Sequence, residues 1–307
     1  MIHTPEGVRP LAGVLSALAL IVCDAPWGTS PTLRAQDQAL FVSAVDANSN
    51  PVTDLAADEL VVMWDGVNCE TIALEPIDWP VRVTIFVDNG EGAQSAVPHF
   101  REGLQGFLDA IPADVEIALL TIARQPRLIT PHTTDRADLI RGLGLVVPDR
   151  NAAARYLDAL IEEAGRIAED AERRYLPVVV MVASDGPEGS SGQQPRFEEM
   201  LDRLVDNSVT VHTLMFSRGN QNALQVQVGV NVSNVTRGSY EELGVSTGFI
   251  TRLPELARDI ARKHRLVSNQ YRVTYAPPDG ASDQPDISIG STRPGLDLVP
   301  TTDGNVP

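Results

Sequence analysis

One run of the sequence, VVVMVAS at 178–184, is almost wholly apolar and is flanked by helical patterns. Such a run is typical of a strand at the centre of a parallel sheet, where helices cover both faces. A second apolar run, VRVTIFVD at 81–88, precedes a helical pattern that opens at Pro98. The alternation of strands and helices predicts an α/β fold, built on a doubly wound and mostly parallel sheet with right-handed crossovers.

The rest of the central region continues this alternation. Further strands are predicted at 115–123, 127–130 and 209–216, and further helices at 137–143, 157–171, 197–205 and, after Pro254, at 256–265. The polar stretch at 217–238 breaks the pattern, and we predict that it is a solvated insertion loop. The period of two at 225–232 leaves an exposed hairpin or edge strand as the alternative.

Short β-like segments lie on both sides of this central region. The N-terminal zone at 40–74 has three apolar runs, and Asp65-Gly66 between two of them is a strong hairpin signal. After the last predicted helix, β character returns in YRVTYAPP at 271–278 and DISIG at 286–290. A lone two-stranded hairpin is marginally stable in water, so each zone needs additional strands. The sequence therefore predicts one small β subdomain formed by the N- and C-terminal segments, with the α/β domain inserted between them.

These observations divide the chain into five predicted segments. They are a signal peptide at 1–35, the N-terminal part of the β subdomain at 36–79, the α/β domain at 80–269, the C-terminal part of the β subdomain at 270–300 and a tail at 301–307.

The first segment indicates export. Arg9 precedes the uncharged run LAGVLSALALIV at 11–22, which has the length of a signal-peptide core and is shorter than the ~20 residues of a membrane-spanning helix. Cleavage after Ala35 predicts a secreted or periplasmic product with no transmembrane span. Lipid attachment through Cys23 is the less favoured alternative, because Val22 before it is not small.

Composition limits the classes of partner. The formal net charge of −17 and the pI of about 4.6 oppose binding to nucleic acid or to anionic membranes. The acidic surface favours a basic protein partner, whose identity the sequence does not give. Two cysteines are too few for a disulfide framework, so packing must stabilise the fold.

Ligands of doubly wound sheets bind beyond the carboxyl ends of the strands, which directs attention to two loops. One is Asp88-Asn89-Gly90-Glu91-Gly92, and the other begins Ser184-Asp185-Gly186-Pro187-Glu188. With these loops in this order, the sequence resembles the von Willebrand factor A-type domain, in particular a secreted bacterial branch described mainly from acidobacteria. Two further segments are similar to that branch, the lead-in VDANSNPVTDLAADELVVMWDGV and the closing YRVTYAPP. A third is Ser246-Thr247-Gly248, which stands where the family has Thr-Gly-Gly before its last strand.

The resemblance implies a metal-ion-dependent adhesion site that is degenerate in this chain. In the family, Asp-x-Ser-x-Ser, a Thr and a second Asp hold Mg²⁺ through oxygen atoms. Here Asp88 and Asp185 keep the two carboxylates, whereas Gly90, Gly92 and Ala154 stand in place of the three hydroxyl residues. We therefore expect no functional metal site.

Asp88 and Asp185 then remain as residues that cap helices or bind loop amides, and the loops at 88–92 and 185–186 remain as ligand-binding loops. The alternative is a weak Mg²⁺ site completed by water and by an oxygen of Asn89 or Glu91.

Enzymatic alternatives are weaker. Gly90-x-Gly92-x-x-Ser95 resembles a dinucleotide fingerprint, with Arg124 suited to a 2′-phosphate of NADP, but Asp88 and Glu91 would face the pyrophosphate. The run GSSG at 189–192 lacks the spacing of a nucleophile elbow. The five histidines are dispersed, and two of them have an expected environment, His212 in the core and His264 on a helix surface.

The sequence thus predicts a secreted, non-enzymatic protein-interaction module of adhesion type without a cofactor. A divalent-cation-dependent A-type domain is the alternative, and an NADP-binding Rossmann-like enzyme is a distant third possibility.

Overall fold

The computed structural model describes residues 38–301 except for 171–172, 192–193, 268, 279 and 281–284. The predicted signal peptide at 1–35, including Cys23, lies outside the described residues, as does the predicted tail beyond Thr301. Among the described residues, no helix has both the length and the apolar character that a membrane crossing requires.

From residue 81 to residue 216 the strands and helices follow the order that the apolar periodicity predicts, whereas the helix at 224–235 and the strands at 240–243 and 296–301 were not predicted. The strands are β1 (Gln38–Asp46), β2 (Leu60–Trp64), β3 (Val67–Asn68), β4 (Glu70–Ile77), β5 (Val81–Val87), β6 (Glu116–Thr121), β7 (Arg127–Thr133), β8 (Leu176–Ser184), β9 (Thr210–Phe216), β10 (Tyr240–Leu243), β11 (Gln270–Ala276), β12 (Ile287–Ser291) and β13 (Leu296–Thr301). The helices are α1 (Val97–Ala110), α2 (Arg136–Gly144), α3 (Tyr156–Glu169), α4 (Gln194–Asp206), α5 (Leu224–Val235) and α6 (Phe249–Val267).

Six strands form the central sheet in the order β10-β9-β8-β5-β6-β7, and only the edge strand β7 runs antiparallel to its neighbour. Every residue of β8 is buried. Its side chains alternate between two cores, because Val180 packs in the core that includes α1 and α6, whereas Met181 packs in the core that includes α3 and α4. The apolar run at 178–184 is therefore explained by burial on both faces, and the predicted fold class is confirmed.

The strands at 38–77 and 270–301 form a β subdomain, as predicted. One sheet has the order β13-β1-β11-β4 and a second has the order β12-β2-β3, so each sheet combines N- and C-terminal strands. Their shared core includes Val42, Val62, Val273 and Tyr275. The hydroxyl of Tyr271 fixes the chain between β1 and β2, where it accepts a hydrogen bond from the amide of Leu55 at 3.0 Å and donates one to the carbonyl of Val52 at 3.0 Å.

The segment at 217–238 is not the predicted insertion loop, and 225–232 is not a strand. Residues Leu224–Val235 form helix α5. One face of this helix is buried against the sheet, and its residues recur every three positions, at Val226, Gly229 and Val232. This helical spacing of buried residues explains why a helix forms in place of the strand that the period-two pattern suggests. A Cβ at Gly229 would stand 3.0 Å from the ring of Tyr240, so glycine permits this close approach.

The last helix begins earlier than predicted. Helix α6 starts at Phe249 and contains Pro254, whereas the sequence pattern placed its start after that proline. The ring of Phe249 packs on Phe100 of α1 with a centroid separation of 4.5 Å. A Cβ at Gly103 would lie 2.4 Å from the carbonyl oxygen of Phe249, so the contact with α1 holds this first turn in place.

The predicted position of Ser246-Thr247-Gly248 before the last strand of the main sheet is wrong. These residues follow β10 and form a short 3-10 turn that leads into α6. Thr236-Arg237-Gly238 is the segment that precedes β10. A Cβ at Gly238 would lie only 1.8 Å from the carbonyl oxygen of Val211, so this position requires glycine.

Two histidines take different environments. His212 is buried on β9, and its Nδ1 lies 2.8 Å from the hydroxyl of Ser239, in agreement with the prediction of a hydrogen-bonded core residue. His264 is partly buried rather than on the helix surface, because its Nε2 accepts a hydrogen bond from the amide of Val81 at 3.0 Å. That expectation was wrong because Val81 belongs to a strand distant in sequence.

Candidate functional site

The first of the two predicted loops begins with a buried carboxylate. Asp88 follows β5 and has an exposed fraction of 1%. Its Oδ1 accepts a hydrogen bond from the amide of Gly90 at 2.7 Å, and its Oδ2 accepts one from the hydroxyl of Ser184 at 2.5 Å. Burial raises the pKa of Asp88, and these hydrogen bonds oppose the shift. Both oxygens of this buried carboxyl group therefore accept hydrogen bonds from the protein itself.

The second carboxylate organises a neighbouring loop. Asp185 follows β8, and its Oδ2 accepts hydrogen bonds from the amides of Arg218 at 2.6 Å and Asn220 at 2.9 Å. The hydroxyl of Ser217 donates to the same oxygen at 3.2 Å. All these donors come from the segment between β9 and α5, so Asp185 links the ends of two adjacent parallel strands.

The glycines of the two loops are in direct contact. A Cβ at Gly92 would lie 2.5 Å from the Cα of Gly186, and a Cβ at Gly186 would lie 2.4 Å from the Cα of Gly92. The side chain of Gln225 binds the backbone of the second loop, because its Nε2 donates to the carbonyl oxygens of Gly186 at 2.6 Å and Ser184 at 3.1 Å. The structure thus brings the two predicted loops together and leaves no room for a side chain at either glycine.

A third loop closes the same edge through its backbone. The amide of Ala154 donates to the carbonyl of Pro187 at 3.0 Å, and its carbonyl accepts from the amide of Gly189 at 2.7 Å. A Cβ at Gly90 would lie 2.7 Å from the carbonyl oxygen of Ala152. At the three positions where the resemblance implies hydroxyl ligands, the backbone of Gly90, Gly92 and Ala154 therefore packs against or hydrogen-bonds to a neighbouring loop.

Glu188 is a site residue to which the sequence assigned no role. Both of its carboxylate oxygens accept from the amide of Tyr156 at 3.1 Å, and Oε1 also accepts from the amide of Ser190 at 2.8 Å. Tyr156 is the first residue of α3, so Glu188 binds a free amide at the helix N-terminus. Burial raises the pKa of Glu188. Local capping patterns do not reveal this contact, because 32 residues separate the partners.

The polar residues of the first loop have other partners. Asn89 donates from Nδ2 to the carbonyl of Val147 at 2.8 Å and accepts at Oδ1 from the amide of Ala123 at 3.1 Å. Glu91 is exposed at the surface, and its amide donates to the carbonyl of Ala152 at 2.9 Å. The side-chain oxygen of Asn89 is therefore already engaged in joining the loops.

The residues present do not fit a bound Mg²⁺ ion. The cation prefers near-octahedral oxygen ligands with free lone pairs. Here N–H and O–H donors already occupy oxygens of Asp88 and Asp185, and positions 90, 92 and 154 supply no side-chain oxygen. Among the described residues, no group of three or more His, Cys, Asp or Glu side chains is arranged to hold a metal ion.

The residues also do not fit a dinucleotide. Arg124, the candidate for a 2′-phosphate, is held by Asp149 through two hydrogen bonds, from Nε at 2.5 Å and from Nη2 at 3.1 Å. A phosphate-binding turn needs open space next to its glycines. Gly90 and Gly92 instead face the backbone of Ala152 and Gly186.

The surface beside these loops carries exposed apolar side chains. Leu145 and Val147, which follow α2, are 64% and 59% exposed. The carbonyl of Val147 accepts the hydrogen bond from Asn89, so this segment adjoins the first loop. Leu128 lies at the start of β7, opposite the carboxyl end of β6, and is 56% exposed. This edge of the sheet therefore combines closed polar loops with accessible apolar groups.

No family model matches the sequence, and a search of curated proteins finds no match. Solved structures are more informative. The structure of a von Willebrand factor type A protein from Catenulispora acidiphila aligns over 89% of this chain and 75% of its own chain, with a TM-score of 0.50 and 10% sequence identity. The chain has a von Willebrand factor A-type fold. At this identity the similarity establishes the fold alone.

Two further solved structures are similar over shorter regions. Proximal thread matrix protein 1 from the mussel byssus aligns over 62% of this chain with 16% identity and a TM-score of 0.47, and this chain spans 50% of its length. The SpRpn10 VWA domain aligns over 56% of this chain and 95% of its own length, with 12% identity and a TM-score of 0.44. Neither similarity contributes to the fold assignment.

Proposed function

We propose that this chain is a secreted, non-enzymatic protein-interaction module with an A-type fold, whose loops at the carboxyl edge of the sheet bind a protein partner without a metal ion. The contact between Gly92 and Gly186 carries the proposal, because it leaves no room for a hydroxyl side chain at position 92. The hydrogen bonds to both carboxylate oxygens of Asp88 and to Oδ2 of Asp185 support the same conclusion. A degenerate adhesion site of this kind binds through surface complementarity.

The partner contacts the apolar groups beside the closed loops. Leu145 and Val147 are the most suitable anchors, since both are more than half exposed and lie next to Asn89. The rim is polar, with Arg124, Asp149 and Glu91 near the same loops. Because the chain carries a net charge of −17, a basic partner associates faster than an acidic one.

A capture experiment with matched variants tests the proposal. The mature protein, immobilised and exposed to the envelope and culture medium of its source, is expected to retain one specific partner equally in Mg²⁺ and in EDTA. The double substitution Leu145→Ser/Val147→Ser is expected to abolish retention. Val67→Ser, at a 54% exposed residue of β3 in the β subdomain, is the control and retains the partner.

Two results would contradict the proposal. Retention that requires Mg²⁺ and is lost in Asp88→Ala supports the divalent-cation-dependent alternative. Retention that survives Leu145→Ser/Val147→Ser places the interface elsewhere. Export is tested separately by mass spectrometry of the protein in the medium and periplasm, where we expect an N-terminus at Gln36.

A further inference from the structure

A small pocket of about 40 Å³ lies between helix α6 and the central sheet, away from the candidate site. Val81, Leu176 and Thr210, the first residues of β5, β8 and β9, line it together with Ile260 and Lys263 of α6. One water molecule needs roughly 10–15 Å³ of such space, so the pocket has room for roughly three or four non-hydrogen atoms. Its size therefore excludes a nucleotide or a sugar and admits only a very small molecule.

His212 presents a buried hydrogen-bond donor to this pocket. The side chain lines the pocket and is 4% exposed. Its Nδ1 accepts a hydrogen bond from the amide of Ser239 at 3.1 Å, so the proton of the neutral ring is on Nε2. Among the described residues Nε2 has no hydrogen-bond partner, and it is not fully enclosed by protein atoms. A buried N–H without a partner is energetically costly, so this donor indicates that an acceptor is missing.

Lys263 brings a positive charge to the same pocket. Its Nζ donates to the carbonyl of Arg237 at 3.4 Å, and its other two N–H groups have no partner among the residues that the structure describes. Burial lowers the pKa of His212 to about 4, and the charge of Lys263 contributes to that shift. The ammonium group is therefore close to the imidazole, which is neutral at neutral pH.

The positive charge at the pocket is not balanced by a carboxylate in its lining. No Asp or Glu is found among the described residues that line the pocket. The charge of Asp259 also acts on His212, but its carboxylate is paired with Arg262 at 2.9 Å. An anionic group that enters the pocket would thus meet one cation and one neutral N–H donor without a competing acid.

The other walls are apolar, and they decide which anion fits. Leu176, Val178 and Ile260 offer only hydrocarbon surface. A phosphate would place oxygens against these walls without hydrogen-bond partners, which is costly. A short-chain carboxylate has two oxygens for the donors of His212 and Lys263, and its methyl or ethyl group packs on the apolar side chains.

We infer that this pocket binds a short-chain carboxylate of about the size of acetate, whose oxygens accept hydrogen bonds from Nε2 of His212 and Nζ of Lys263. The inference is independent of the proposed protein-binding loops, because none of the residues in those loops lines the pocket.

Nuclear magnetic resonance of the protein titrated with acetate tests this inference. Lys263 is the only lysine in the sequence, so selective ¹⁵N-lysine labelling gives one side-chain signal, at the pocket. At pH 7 and constant ionic strength, we expect acetate to shift the signals of the Lys263 ammonium and of Nε2–H of His212 with one saturation curve. Nuclear Overhauser contacts should join the acetate methyl group to Ile260. Inorganic phosphate, the second probe, should give no saturable shift.

Matched variants identify the contacts. Lys263→Gln, observed at His212, and His212→Phe, observed at Lys263, should each weaken acetate binding by roughly tenfold or more, because each removes a hydrogen bond to a charged group. Arg262→Gln is the control, since Arg262 precedes Lys263 on α6 and does not line the pocket. It should leave the affinity unchanged. Thermal unfolding midpoints check folding, and the partly exposed Lys263 tolerates replacement even if His212→Phe does not fold.

Three results would overturn the inference. Absence of a saturable acetate shift in the original protein would mean that the pocket holds only water. Equal weakening by Arg262→Gln and Lys263→Gln would show a general effect of charge. Phosphate binding as tight as acetate binding would show that the apolar walls do not select a carboxylate.

Discussion

The backbones of Gly92 and Gly186 meet at the carboxyl edge of the sheet, where a Cβ on Gly92 would lie 2.5 Å from the Cα of Gly186. We predict that Gly92→Ala destabilises the protein by about 1–3 kcal/mol, because overpacking against backbone forces the loops apart. Gly144→Ala is the control, since nothing lies within 4 Å of its Cβ position. Denaturant unfolding measures both, and equal stability of the two variants would show that the loops separate freely.

Magnesium binding should be negligible. Both oxygens of Asp88 and Oδ2 of Asp185 already accept protein hydrogen bonds, and positions 90, 92 and 154 supply no side-chain oxygen. Calorimetric titration of the mature protein is therefore expected to show no saturable Mg²⁺ binding below a Kd of ~1 mM. Asp88→Ala provides the comparison. Tight binding in the original protein that disappears in this variant would contradict the prediction and restore the cation-dependent alternative.

The buried carboxyl group of Asp88 should make stability depend on pH. Burial raises its pKa in the folded protein above the ordinary value of 3.8, so the folded state holds this proton more tightly than the unfolded chain. The resulting stabilisation is complete below the unfolded-state pKa and is lost as the pH rises through the folded-state pKa.

Asp88→Asn cannot ionise, so its free energy of unfolding should rise relative to that of the original protein as the pH increases above 3.8. Equilibrium unfolding of both proteins at a series of pH values measures the difference. A difference that stays constant over the series would mean that Asp88 has the same pKa in the folded and unfolded states.

The β subdomain should depend on the C-terminal strands. Truncation after Gln270 removes β12, which pairs with β2, and nearly all of β11, which pairs with β1 and β4. Amides of β2 should then lose hydrogen-exchange protection, whereas those of β8 keep most of theirs. Truncation after Thr301 leaves every described strand intact and is the control. Retained protection in β2 after the longer truncation would show that the N-terminal strands are stable alone.

The apolar periodicity of the sequence determined most of the architecture. The run at 178–184 indicates a strand buried on both faces, and β8 lies inside the sheet with all nine residues buried. The strand-like segments on the two sides of the α/β domain each needed partners, and they pair with one another. These features are predictable because the spacing of apolar residues is a local property that follows directly from which faces are buried.

Helix α5 and the first turn of α6 were decided by tertiary contacts. The segment around Val226 alternates in polarity like a strand, but the face that packs against the sheet has helical spacing. Phe249 and Pro254 belong to the helix because α1 offers glycines at 103 and 106 where the two helices meet. Packing energy of this kind exceeds local propensity and involves residues that are far apart in sequence.

The sequence determined which residue types stand at the candidate site, and the tertiary structure decided what they contact. The sequence alone shows that Gly90, Gly92 and Ala154 supply no hydroxyl group. Only the fold shows that the loops of Gly92 and Gly186 touch and that Glu188 binds the first amide of α3. The physical reason is that each contact joins loops that follow different strands, and their separation is set by the packing of the whole sheet.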